Sequence, residues 1–289
     1  MVLKDLFDKC LNSRILNLGV SLLKQLVNSI GRDKMTRNLA VFDFDHTIVN
    51  DNSDTAVMKL VDNKIPKEIK MLHRSDGWTA YMQGVFKTLH ENNVQEDAIN
   101  NLIRNLPAVQ GMPELIKEIN ENLNFDVIII SDSNHHFIDL WLEENNLKSN
   151  ILKVFSNPAK FEDGLLKIRM YHLQDHCKLS TKNLCKGQIM EDFVADQRLN
   201  DLIYDMIVYI GDGINDFCPI LRLRGNDLAC VRDKYKCVDL VKKSKDGRYV
   251  DDDGISRTVK SNVCIWQNGY DIIDFIKQQN GQCKKVQVL

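Results

Sequence analysis

Two aspartates stand two residues apart in the run Asp43-Phe44-Asp45-His46-Thr47, directly after the apolar stretch LAVF at 39–42. A second apolar stretch, DVIII (126–130), ends in Ser131-Asp132-Ser133-Asn134. A third, MIVYI (206–210), ends in Gly211-Asp212-Gly213-Ile214-Asn215-Asp216, and Lys186 opens the helix-like segment leading into it. On an extended segment, residues i and i+2 face the same side, so the Asp43 and Asp45 side chains share a direction. One carboxylate of such a pair can attack phosphorus while the other handles a proton. Several carboxylates gathered into one crevice repel each other unless a cation joins them. Magnesium is the hard, oxygen-seeking candidate, because it binds one or two carboxylates and keeps waters that phosphate oxygens can replace.

The elements that would carry these residues alternate along the chain. Residues 39–42, 126–130, 206–210 and 227–231 read as strands buried on both faces, with 262–266 as a further one. Helical patterns start near Pro113, run through 134–146 and 183–200, and begin again beyond Asp216. Strands spaced in this way need crossover helices, which predicts an α/β fold with a doubly wound parallel sheet. In such sheets ligands bind at the carboxyl ends of the strands, where the three motifs above fall. Residues 54–108 read as helices alone and are expected to form a helical cap inserted between the first and second strands. Residues 155–182 loosen into short β-like pieces (KVFSN, LLKIRM) and a polar loop. The expected division is an N-terminal amphipathic extension (1–37), a core (38–53 and 109–279), the cap (54–108) and a C-terminal tail (280–289).

The 289 residues carry 38 Lys and Arg against 40 Asp and Glu, a formal net charge of −2 that offers no bulk attraction to nucleic acid. No stretch approaches the ~18 uninterrupted apolar residues of a membrane span. In the N-terminal extension Leu3, Leu6, Phe7, Cys10 and Leu11 share one helical face, a pattern able to touch a membrane surface. Its basic residues Lys4, Lys9, Arg14 and Lys24 make a mitochondrial presequence the alternative to a cytoplasmic setting. The eight cysteines include several in apolar runs and are expected to be reduced thiols. The loop carrying His172, His176, Cys177 and Cys185 lacks the ligand number and spacing of a zinc finger and is expected to be structural.

DFDHT (43–47), Ser131 after a strand, a helix-opening Lys186 and GDGIND (211–216) appear in the order of the four motifs of the haloacid dehalogenase superfamily, which this chain resembles over about residues 38–279. The resemblance implies that Asp43 is the nucleophile, forming an aspartyl-phosphate, and that Asp45 is the proton donor and acceptor. It implies magnesium held by Asp43, the Asp45 main-chain carbonyl and Asp212, with Asp216 completing the metal set by orienting bound water or Lys186. Ser131 would grip the phosphoryl oxygens and Lys186 would neutralise their charge, in preference to the nearby Lys182. Asp132, Asp54 and Asn215 complete the expected substrate-binding set.

DFDHTIVNDNSD, IIISDSN, KVFSNPAKF, NLCKG and IGDGINDFCP are similar to the branch holding phosphoethanolamine/phosphocholine and pyridoxal phosphate phosphatases. WTAYMQGVFKTL and YIGDGINDFCP are closer to the pyridoxal phosphate type. Phosphoserine phosphatases resemble the chain less, since Asn52 stands where they carry a substrate-binding Glu. Trp78, Tyr81, Met82 and Phe86 are the aromatic and apolar candidates for the substrate face of the cap. The expected substrate is therefore a small phosphate ester, pyridoxal 5′-phosphate first and phosphoethanolamine or phosphocholine second. A phosphotransferase, or a non-catalytic protein binding a phosphate ligand, is the alternative from another class.

Overall fold

The computed structural model describes residues 34–61, 64–279 and 281. The first strand, β1 (Met35–Phe42), leads into α1 (Ser53–Met58), α2 (Lys67–Ser75), α3 (Trp78–Glu91) and α4 (Glu96–Arg104). Then come α5 (Met112–Asn122), β2 (Phe125–Asn134), α6 (His135–Glu144) and β3 (Lys153–Asn157). A hairpin of β4 (Ala159–Glu162) and β5 (Leu165–Ile168) precedes α7 (Lys186–Leu199), β6 (Leu202–Gly211) and α8 (Phe217–Leu221). The described elements end with β7 (Leu228–Arg232), α9 (Lys236–Lys245), β8 (Asn262–Trp266) and α10 (Gly269–Gln279). Among the described residues no helix is long and apolar enough to cross a membrane. The expected amphipathic face at 3–11 and the tail from 282 lie outside the described residues.

Six strands form one sheet in the order β3-β2-β1-β6-β7-β8, with parallel neighbours throughout. The alternation of side chains along each strand explains its composition. Ala40, Phe42, Val127, Ile129, Val208 and Ile210 enter one apolar layer with α5, α6, α10 and the helices after β1. Leu39, Val41, Ile128, Ile130, Ile207 and Tyr209 enter the opposite layer with α7, α8 and α9. Both faces are covered, so the strands read as unbroken apolar runs.

The chain leaves β1 for β2 on one side and returns to β6 on the other, which makes β1 the point where strand order reverses. Register then aligns the motifs. Phe42 pairs with Ile129 on β2 and with Ile210 on β6, so the residues that follow emerge along one edge. Asp43 N–H donates to Ile210 O at 2.9 Å, extending the ladder one residue past the strand.

Residues 53–104 are helical apart from their connections, and the segment leaves and re-enters the sheet through adjacent strands of backbone. Asn50 N–H donates to Pro107 O at 2.7 Å and Val109 N–H to Ile48 O at 2.9 Å. The β4–β5 hairpin, whose antiparallel pairing the sequence reading did not identify, packs on α3. Gln83 links them, donating to Leu166 O at 3.2 Å and accepting from Ile168 N–H at 2.8 Å. β1 begins at Met35, ahead of the strand expected at 39–42 and of the core start expected at 38, because Met35–Arg37 pair with Leu202–Tyr204 of β6.

Candidate active site

The turn after β1 is built by its own sequence. His46 adopts a left-handed conformation (φ 54), open to a few residue types of which His is one. This reverses the chain, so that the N–H groups of Thr47, Ile48 and Val49 all donate to Phe44 O. Arg232, from the end of β7, donates to His46 O and, at 2.6 Å, to Asn50 Oδ1, bracing the turn from outside. Thr47 Oγ donates inward to Asp212 Oδ1 at 3.2 Å.

Lys186 is fully buried at the start of α7 and bridges two carboxylates, Asp43 Oδ2 at 2.8 Å and Asp216 Oδ1 at 2.7 Å. Burial alone would lower its pKa; the Asp216 and Asp43 charges reverse that and hold the ammonium protonated. Lys182 is exposed and lies in the preceding loop. Asp216 is itself saturated. Its Oδ1 also accepts from Tyr209 O–H at 2.7 Å, and its Oδ2 accepts from the N–H groups of Asp212 at 3.0 Å and Gly213 at 2.8 Å. Those four bonds fill the acceptor capacity of a carboxylate. In this arrangement Asp216, expected to complete the metal set by orienting bound water or Lys186, holds Lys186 and the 212–213 loop while its carboxylate stays within the Asp43–Asp212 group. The close fit requires a glycine at 211, where a Cβ would stand 2.4 Å from Asp216 Cγ.

Asp45 points elsewhere. Its Oδ1 accepts from Ser53 N–H at 2.9 Å, and its Oδ2 accepts from Ser53 Oγ–H and from Asn52 Nδ2, both at 3.1 Å. Burial, with Asp54 nearby, pushes its pKa well above the usual carboxylate range. A protonated or proton-sharing Asp45 suits an acid–base group. Its carboxylate lies apart from the Asp43–Asp212 group, so a share in metal binding would fall to its main-chain carbonyl.

The carboxylate oxygens of Asp43, Asp212 and Asp216 lie within 4.8 Å of one another. Burial raises Asp43 from 3.8 to about 7, with Lys186 opposing and Asp216 adding to the rise. Burial likewise raises Asp212 to about 8, with Asp216 and Asp43 contributing. One ammonium against three buried carboxylates leaves an excess of negative charge on hard oxygen donors. That donor set fits magnesium.

The other expected residues fall around this centre. Ser131 is buried and its Oγ accepts from Ser133 N–H at 3.2 Å, while Ser133 Oγ meets Ser53 Oγ at 2.8 Å. Asp132 accepts from Asn215 Nδ2 at Oδ2 (3.2 Å) and from Asn157 Nδ2 at its main-chain oxygen (2.8 Å). It lines a cleft with His73, Trp78, Leu173, Lys182 and Asn183. Asp54, expected to bind substrate, has Oδ2 engaged by Trp78 Nε1–H at 2.6 Å. Burial raises its pKa to about 7, against the lowering effect of the Trp78 hydrogen bond. Met82 and Phe86 cannot line a substrate face, being 0% and 1% exposed within the apolar layer; packing of α3 against its neighbours, with Phe86 edge-on to Phe137 of α6, took the face the helical wheel left open. Ser53 and Tyr209 are site residues the sequence reading missed, and Asn52, noted there only as a departure from phosphoserine phosphatases, joins them.

A family model described as “Putative Phosphatase” matches residues 38–279. Pyridoxal phosphate phosphatase PHOSPHO2 of Homo sapiens is 38% identical over 242 residues, 83% of this chain and 97% of that protein. Phosphoethanolamine/phosphocholine phosphatase of Homo sapiens is 28% identical over 250 residues, 86% of this chain and 91% of that one. A solved phosphoserine phosphatase in apo form superposes with a TM-score of 0.52 at 18% identity, over 83% of this chain and 98% of that chain, which speaks for the fold alone. The chain belongs to this phosphatase family and is a phosphoric monoester hydrolase on a haloacid dehalogenase fold.

Proposed function

We propose that the chain hydrolyses small phosphate monoesters through an aspartyl-phosphate on Asp43, with pyridoxal 5′-phosphate its preferred substrate. The observation that carries the reading is the buried Lys186 bridge between Asp43 and Asp216, with the separately held Asp45 two residues from Asp43. Asp43 attacks phosphorus, its carboxylate oriented by Phe44 N–H (2.7 Å) and Lys186. Asp45, whose pKa burial raises, gives a proton to the leaving ester oxygen and then takes one from the attacking water. Ser131 and Lys186 bind the phosphoryl oxygens, so most of the catalytic effect is positioning and charge. Asp43, Asp212 and the Asp45 carbonyl would hold magnesium, which would supply the positive charge that offsets the phosphoryl group and the crowded carboxylates.

The substrate reading rests on the higher identity to the pyridoxal phosphate relative and on the cleft. Trp78 meets His73 edge-to-face and Tyr81 at a tilt, both at 5.3 Å between centroids, beside Asp132 and Lys182. An aromatic wall with polar groups at its rim suits a flat heteroaromatic ring. The same wall and the Asp132 carboxylate favour a second reading, a cationic amine such as phosphoethanolamine or phosphocholine. The test is kcat/KM for these three esters and phosphoserine with magnesium, on wild type and Asp132→Ala. Pyridoxal 5′-phosphate should rank first. A preference for phosphoethanolamine or phosphocholine that Asp132→Ala selectively removes would transfer the assignment to them.

A further inference from the structure

Three thiols from distant parts of the chain meet beside this site. Cys177 lies in the loop before α7, Cys185 directly precedes Lys186, and Cys218 sits in α8 two residues after Asp216. The Sγ atoms of Cys177 and Cys185 stand 3.5 Å and 3.7 Å from that of Cys218, and all three lie within 4.8 Å of one another. Cys185 and Cys218 are buried and Cys177 half-buried. A tetrahedral cation with metal–sulfur bonds of ~2.3 Å holds its sulfurs ~3.8 Å apart, close to these separations.

The surroundings are built to the same end. Ser180 Oγ stands 3.5 Å from Cys177 Sγ, and Ser180 N–H donates to Cys177 O at 3.3 Å, closing a tight Cys-x-x-Ser turn. Buried Gln174 shapes that turn. Its Nε2 donates to the carbonyls of Cys177 (3.2 Å), Ser180 (3.4 Å) and Thr181 (2.5 Å), and its Oε1 accepts from Cys177 N–H at 2.9 Å. Arg222 Nη2 approaches Cys185 Sγ at 3.7 Å. Gly187 leaves the room required, since a Cβ there would meet Cys218 Sγ at 2.8 Å and Arg222 Nε at 2.6 Å. His172 is engaged elsewhere, its Nε2 accepting from Cys185 N–H at 3.1 Å.

We propose that Cys177, Cys185 and Cys218, with Ser180 as fourth donor, form a tetrahedral site for a thiophilic divalent cation of the zinc type. Soft sulfur donors separate it from the all-oxygen magnesium set. On binding, three thiol protons leave to solvent and three metal–sulfur bonds form; no electrons move, so no oxidant is required. A divalent cation with three thiolates carries one net negative charge, which the Arg222 guanidinium faces. The site ties the residue before Lys186 to the helix after Asp216, and so fixes the bridge between those two.

The probe is cobalt(II), added to full-length reduced protein that has been stripped of metal and returned to magnesium. A single equivalent should give the sulfur-to-cobalt charge-transfer band and the intense visible bands of a tetrahedral thiolate site, all bleached by zinc(II). Cys218→Ala should abolish them, and Ser180→Cys should strengthen the charge-transfer band and tighten binding. Arg222→Gln should weaken cobalt affinity by about 10–100-fold while keeping the charge-transfer band. If Cys218→Ala does not fold, Ser180→Cys in the half-buried loop still decides. Reduced wild type that gains no such bands, or a Ser180→Cys spectrum identical to wild type, would overturn the proposal. So would oxidation of two of the thiols to a disulfide with no cobalt uptake, the behaviour of a redox pair.

Discussion

At the scale of single residues, the site is a set of carboxylates kept out of water. Asp43, Asp45, Asp54 and Asp212 all have raised pKa values, each with burial as the leading cause. The consequence for stability has a definite sign. A carboxyl raised from 3.8 to about 7 (Asp43) or about 8 (Asp212) binds more protons in the native than in the unfolded state across that interval. Metal-free stability attributable to these groups therefore falls as pH rises from about 4 towards 8. Magnesium replaces the lost protons, so the rise in Tm on adding magnesium should grow with pH over the same window. Thermal melts with magnesium or a chelator at several pH values measure that difference directly. A magnesium effect independent of pH would mean that these carboxylates are not the ligands.

At the scale of elements, helix starts deliver several of the groups. Asn52 caps α1, its side chain accepting from Thr55 N–H at 2.8 Å, and the same side chain donates to Asp45. Asn52→Ala should therefore cost about 0.5–2 kcal/mol as a lost cap and lower kcat more than it changes KM. Urea unfolding and steady-state kinetics would separate the two effects; an unchanged kcat would detach the cap from the proton-transfer group. Strands with both faces buried, β1, β2 and β6, were legible as apolar runs, and the motif residues could be read at their ends. What was not legible depended on partners distant in sequence. Tyr209 lay inside an apolar run, and nothing local announced that its hydroxyl meets Asp216. Cys218 is 33 residues from Cys185, with no neighbouring Cys or His to mark it as a ligand pair at short spacing. The β4–β5 hairpin carried a signal in its Asp163-Gly164 turn, where both residues have positive φ, but four-residue strands give too little alternation to outweigh a loop reading.

At the scale of the whole molecule, the sheet places three strand ends at one edge and the helices of residues 53–104 stand over it on the apolar face they share. The parallel α/β order was readable from the spacing of the runs. The edge position of β3 and the burial of Met82 and Phe86 were not, because they follow from how layers meet. β1 starts at Met35, whose N–H donates to Asp201 O at 3.0 Å. Every described strand is kept when residues 1–34 are deleted, and the truncated protein should keep the Tm and kcat of the full chain. A truncation that is insoluble or inactive would instead assign residues 1–34 to the packing of the domain.

The central claim, phosphoryl transfer through Asp43, is tested most directly by trapping the intermediate. Wild-type protein turning over a phosphate ester in magnesium is quenched in acid, treated with borohydride or digested, and the peptide spanning residues 39–50 is analysed by mass spectrometry. The account predicts one phosphoryl group, or its reduced trace, on Asp43. It should be lost on chelation, absent in Asp43→Asn, and present in Asp45→Asn with turnover slowed by on the order of 10²–10⁴. A phosphoenzyme on another residue, or near-normal turnover by Asp43→Asn, would contradict it.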